Sequence, residues 1–198
     1  MKGRYYSLIL ALIFSAVSFS GCGGGGTGGG VAVYDTVTLT AEYTEGNPFE
    51  SDVAKHTDAT PENCGVTGSD TVTFSADSAN FTVKSTAIPN LPDGITASDV
   101  RLKSVTITYA SATDPASPAI PAQNYALSNI ITAGGSATIP VTIASQLMKS
   151  SPPLSGLICG GGPYIYYVTV RFDGVEVNTD NARSFETNFT INFADFID

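Results

Sequence analysis

The sequence predicts an all-β protein, a β-sandwich of about seven to nine short antiparallel strands. Three observations carry that expectation. Apolar and polar residues alternate one by one through segment after segment, the period-two mark of half-buried strands. Turn-forming Gly, Pro, Asn and Asp recur between those segments. No stretch shows a convincing helical period, and Thr, Ser, Ala and Gly are abundant while charged residues make up only 14% of the chain.

The chain opens differently. Met1-Lys-Gly-Arg4 carries two positive charges, Tyr5 to Val17 is almost entirely apolar, and Ser18-Phe19-Ser20-Gly21-Cys22 closes the segment with small residues and a cysteine. A basic start, a short apolar run and a small-residue cleavage site make a secretory signal. A membrane-spanning helix would need about 20 apolar residues and is disfavoured by the short run. The segment resembles a bacterial lipoprotein signal peptide. The resemblance implies that residues 1–21 are removed and that Cys22 becomes a lipidated N-terminus in the cell envelope. Gly23 after that cysteine resembles the pattern sorted to the outer membrane, and Phe19 departs from the aliphatic residue usual three places before the cysteine.

Without residues 1–21 the chain keeps 7 basic against 18 acidic residues, a net charge of −11. So acidic a surface argues against nucleic acid and against anionic headgroups, so lipid rather than charge must do the anchoring. In an envelope compartment that permits disulfides, Cys64 and Cys159 are expected to pair. Closing a loop of about 95 residues contributes at most about 4–5 kcal/mol in the loop-entropy account. The alternative, a metal held by these cysteines with His56, fails on inventory, because zinc and blue-copper sites need more ligands than one histidine allows.

The expected organisation is a signal at 1–21, a lipidated cysteine with a Gly-rich linker at 22–30, and one sandwich domain at 31–198. Gly23 to Gly30 contains a formal GxGxxG, but no strand precedes it, so it reads as a flexible tether of roughly 15 Å root-mean-square reach. Val31, Val33, Val37, Leu39, Ala41 and Tyr43 alternate with polar residues as the first strand, with Asp35 breaking the pattern at an edge or bulge. Residues 45–69 read as a long polar loop that either hides a short strand or is functional. Val72, Phe74 and Ala76, a turn at Asp77-Ser-Ala-Asn80, then Phe81 and Val83 read as a hairpin. Asn90-Leu-Pro-Asp-Gly94 is turn chemistry. Val100 and Leu102, then Val105, Ile107 and Tyr109, form a longer strand whose apolar parity flips at Lys103-Ser104, the mark of a bulge.

Residues 114–123 hold three prolines and read as an exposed loop. Tyr125 to Thr132 reads as a strand, and Ala133-Gly134-Gly135 as a turn. Ala137, Ile139, Val141 and Ile143 form an edge strand, because Pro140 cannot donate to a ladder. One helical turn is expected within Ala144 to Lys149. Tyr164, Tyr166, Val168, Val170 and Phe172 alternate as a strand, Asp173-Gly174 reads as a hairpin turn, and Phe185, Phe189, Ile191 and Phe193 line a last strand. These two strands, Tyr164 to Phe172 and Ser184 to Phe193, resemble the closing pair of bacterial immunoglobulin-like modules over about 35 residues. The resemblance implies an immunoglobulin-like or fibronectin-III-like sandwich. The chain has no tryptophan to pack on a disulfide, which departs from antibody-type domains. A lipocalin-type barrel is the competing all-β reading, without the long regular hairpins it needs.

Catalytic chemistry finds little support. His56 lies in a polar loop without a nucleophile motif and reads as a solvated side chain. No carboxylate pair stands out among 18 acidic residues. Asp173, Glu176 and Asp180 are weak calcium candidates that lack calcium-loop spacing. Tyr164 and Tyr166 read as core, with Tyr167 a lone surface ring. The expectation is a non-enzymatic, lipid-anchored envelope protein with no cofactor, acting on an envelope protein partner as a structural or accessory subunit. The alternative is a carbohydrate- or calcium-binding module using the loops at 45–69 and 111–124.

Overall fold

A computed structural model of the chain describes residues 35–56, 72–113, 115–158 and 160–196. The signal segment, Cys22, the glycine run, Cys64 and Cys159 lie outside the described residues. The protein is mostly β, with eleven strands among the described residues, one four-residue helix and one 3-10 turn.

The strands are β1 (Val37–Tyr43), β2 (Phe49–Asp52), β3 (Lys55–His56), β4 (Val72–Thr73), β5 (Asp77–Ala87) and β6 (Val100–Ser111). They continue with β7 (Gln123–Ala126), β8 (Ile130–Ile131), β9 (Ser136–Ala144), β10 (Tyr164–Glu176) and β11 (Ala182–Ala194). Helix α1 (Gln146–Lys149) and the 3-10 turn Leu154–Leu157 lie between β9 and β10. One sheet has the order β1-β5-β9. A curled, mixed sheet has the order β2-β11-β10-β6-β7, with β8 also paired to β6. β3 and β4 make a third, two-stranded sheet.

The two larger sheets meet through their inward residues. Ala79, Phe81 and Val83 of β5 and Ile139, Val141 and Ile143 of β9 are buried against Val105 and Ile107 of β6, Val168, Val170 and Phe172 of β10, and Phe189, Ile191 and Phe193 of β11. The Phe81 ring lies 5.9 Å from both Phe172 and Phe189, and Tyr43 stacks on Phe189 at 4.6 Å. These offset and edge contacts add to the area that the rings bury. The Tyr109 hydroxyl donates across the layers to the Ile143 carbonyl at 2.5 Å.

Four expectations need correction. The fold is not a clean immunoglobulin-like sandwich of antiparallel strands, because β2 pairs parallel to β11 and a third sheet is present. β2 and β3 fall within the polar 45–69 segment, which was expected to hide a short strand or to be functional; β2 shows no apolar period because it is four residues long and its buried inward residue is Ser51. Asp77 to Asn80 is not a turn but the start of β5, with small Ala79 continuing the buried face. Asp173-Gly174 is not a hairpin turn either. β10 runs through it to Glu176, and the reversal falls at residues 177–181, with Asp180 at φ 54°. The Asp-Gly pair sits opposite the bulge foreseen at Lys103, where the register passes from Asp173↔Ser104 to Gly174↔Leu102. There the backbone comes so close that a Cβ on Gly174 would lie 2.5 Å from the Arg101 carbonyl oxygen. Finally, Tyr125 to Thr132 is two short strands, β7 and β8, rather than one, both paired to β6.

Strand directions give the molecule two ends. At one end lie Thr36, the turns between β5 and β6, between β8 and β9, and between β10 and β11. At the other lie the loop between β6 and β7, α1, the 3-10 turn and the end of β11.

Candidate functional site

The proline-rich segment between β6 and β7 borders two recesses, and local chemistry explains its shape. Pro115, Pro118 and Pro121 have no backbone N–H to offer a ladder. The Ser111 hydroxyl takes over, accepting from the Ser117 backbone at 2.8 Å and the Thr113 backbone at 3.3 Å. From below, the Tyr166 hydroxyl donates to the Pro118 carbonyl at 2.7 Å. Burial pushes the Tyr166 phenol up to about 12, with the neighbouring Tyr164 as the next cause. Ile120 is buried and plugs the segment into the core.

The first recess, about 230 Å³, runs between this segment and α1. Its walls include Ile120, Pro121, Met148, Pro152, Pro153 and Leu154. Ser145 caps α1, its hydroxyl accepting from the Met148 backbone at 3.2 Å. That cap turns Met148 inward and leaves Leu147 on the rim, 76% exposed. The second recess, about 350 Å³, lies between residues 113–118 and Gly162, Pro163 and Tyr164. Among the described residues, the two linings hold no carboxylate, imidazole, amine or thiol; Gln123 contributes an amide to the first and Tyr164 a phenol to the second.

The same end carries a buried ionic cluster that the sequence did not disclose. Lys149, fully buried, bonds the Asp77 carboxylate at 2.7 Å and donates to the Asp52 carbonyl at 2.6 Å. The Ser51 hydroxyl donates to the same Asp77 oxygen at 2.5 Å. The group braces α1, β5 and β2 together. His56 is not the solvated side chain the polar loop suggested: its Nε2 lies 3.2 Å from Asp195 Oδ1, and both side chains are buried. His56 lies at the end of β3 and Asp195 just after β11, 139 positions apart in the chain.

The weak calcium candidates are separated by their partners. Asp173 accepts from Arg171 Nε at 3.1 Å on the outer face of β10. Glu176 is fully buried and accepts from the Thr36 backbone at 3.0 Å, the Thr36 hydroxyl at 2.9 Å and the Thr179 hydroxyl at 3.0 Å. Asp180 takes the left-handed position of the turn. Among the described residues, no three His, Cys, Asp or Glu side chains group as metal ligands. Tyr166 is core, between Tyr109 and Phe193 with ring centroids 6.2 and 5.9 Å away; Tyr164 is half-buried and Tyr167 is exposed. No helix among the described residues is long and apolar enough to cross a membrane.

No family model matches the chain, and no curated protein matches it.

Proposed function

We propose that this chain is a lipid-anchored, non-enzymatic envelope protein, tethered through Cys22, whose immunoglobulin-like domain acts by protein contact as a structural or accessory subunit. The carrying observation is the character of the end bearing the β6–β7 segment and α1. Its two recesses are shaped by internal hydrogen bonds, and among the described residues their walls are mostly proline, aliphatic and hydroxyl side chains, with Gln123, Met148 and the Tyr164 ring.

The partition of strands supports the immunoglobulin-like part of the reading. Such a sandwich places strands A, B and E in one sheet and C, F and G in the other. With β1, β5 and β9 as A, B and E, and β6, β10 and β11 as C, F and G, the observed pairings follow that partition. β7 beside β6 then occupies the place of the additional variable-type strand.

The test is purification of the acylated protein from its own membranes after mild solubilisation. A stoichiometric protein companion is the expected result, and recovery of the monomer alone overturns the reading. A small molecule retained instead, seen by native mass spectrometry, would turn the assignment to a ligand-binding module.

A further inference from the structure

Two cations on the outer face of β6 stand without partners. Arg101 and Lys103 flank the buried Leu102, so both side chains point outward, and both are exposed. Among the described residues neither side chain makes an ion pair or a hydrogen bond. Carboxylates are plentiful in this chain, 18 acidic residues against 9 basic ones. Three other cations engage them: Lys149 holds Asp77, Arg171 holds Asp173, and Arg183 reaches Asp35 and Glu176. Arg101 and Lys103 are left open on a molecule whose excess charge is negative.

Their surroundings are apolar. Ile130 on β8 and Val175 on β10 lie directly opposite Arg101, and residues opposite one another share a face. Ile130 is 51% exposed, and Val177, two residues beyond Val175, is 40% exposed. The Val177 N–H donates to the Asp99 carbonyl at 2.8 Å, so the backbone holds this strip in place and its side chains are free to meet a partner. An arginine among aliphatic side chains has the composition that interface centres favour. The strip lies at the Thr36 end, away from both recesses.

We infer that this face of β6 docks an extended acidic segment of another protein, one with carboxylates at alternate positions. Charge complementarity selects the sign. Spacing selects the form, because alternate residues of a strand stand about 7 Å apart. That is the step from Arg101 to Lys103, and it is also the step between carboxylates on one side of an extended chain. The Arg101 guanidinium takes a carboxylate through two parallel N–H bonds, and Ile130 and Val175 shield that pair from water. A broad anionic surface fits less well. It would also meet Asp93 and Asp180, which the adjoining turns carry, whereas a discrete segment places its carboxylates only where the cations stand. This docking is independent of any companion bound at the recess-bearing end.

The test titrates the full chain, in non-ionic detergent, into a fluorescein-labelled peptide of alternating Glu and Ser, with anisotropy as the readout. Saturable binding that weakens as salt is raised is expected. Arg101→Glu and Lys103→Glu should each raise the Kd at least about fivefold. Arg101→Gln keeps most of the side-chain bulk without reversing the charge, so it serves where the reversal disturbs the fold, and it should raise the Kd about threefold. Lys84 is exposed on the outer face of β5, in the other sheet. Lys84→Glu makes the same change in net charge there and should leave the Kd within about twofold. Absence of binding overturns the proposal, as does equal weakening by K84E, which would reduce the effect to net charge. Flotation of the unacylated C22S chain with phosphatidylglycerol vesicles, abolished by R101E while the peptide goes unbound, assigns the face to lipid and overturns it too. A dimer in sedimentation that R101E dissolves, again with the peptide unbound, does the same in favour of a second copy.

Discussion

Ser85 shows how much a single hydroxyl is worth on the inner face of a strand. It continues the buried row Ala79, Phe81 and Val83 of β5, fully enclosed, and its Oγ finds no hydrogen-bond partner among the described residues. A buried hydroxyl without a partner costs free energy that an apolar group does not. Ser85→Ala is therefore expected to raise stability by about 1 kcal/mol, read as a higher midpoint in urea unfolding; a lower midpoint would contradict it. Lys149 is the opposite case, a buried charge fully engaged by Asp77 and the Asp52 carbonyl. Lys149→Met leaves the Asp77 carboxylate enclosed without its cation. The expected loss is about 3 kcal/mol, and a midpoint within error of the parent would show that the brace carries no weight. Neither residue announces itself in the sequence. Parity places Ser85 on the inner row but says nothing of a partner for its hydroxyl, and a lysine closing a four-residue helix carries no local mark of burial. Burial and partners come from β2 and β5, far away along the chain.

At the scale of elements, alternation was a reliable guide wherever it was long. β1, β6, β9, β10 and β11 bury the residues their parity selects, and the parity flip at Lys103 is a true bulge. Pro140 lies in β9, at the edge of its sheet, as its missing N–H requires. Local turn chemistry was a poorer guide. Asp173-Gly174 has a strong hairpin signature, yet here the glycine serves close backbone approach rather than reversal. Gly174→Ala drives a methyl against the Arg101 carbonyl and is expected to cost about 2–3 kcal/mol. The same substitution at Gly46, where a Cβ meets nothing within 4 Å, should change the thermal midpoint little. Equal effects at the two positions would refute the steric account.

At the scale of the whole molecule, four buried or half-buried phenols couple the fold to alkaline pH. Burial raises the phenols of Tyr43 and Tyr166 to about 12 and those of Tyr109 and Tyr125 in the same direction. A folded-state value above the unfolded one gives stability that is complete below the ordinary phenol value of 10 and is lost as pH rises toward the folded value. Urea midpoints should thus be unaffected by these phenols up to about pH 10 and fall between there and about 12. Deprotonation of Tyr43, Tyr109, Tyr125 and Tyr166 at the ordinary value with the fold intact, followed residue by residue by NMR, would count against the burial of these rings. By itself the sequence determined the class of fold, most strand faces, the bulge, the edge strand and the helical turn, because these follow from side-chain period, missing donors and local caps. Tertiary structure alone decided the parallel β2–β11 pair, the Lys149–Asp77 brace, the burial of His56 against Asp195, the Glu176 lock on Thr36, and the gathering of both recesses at the end opposite Thr36. Those features join residues far apart in the chain, and such partners are set by how the sheets pack rather than by any local run of residues.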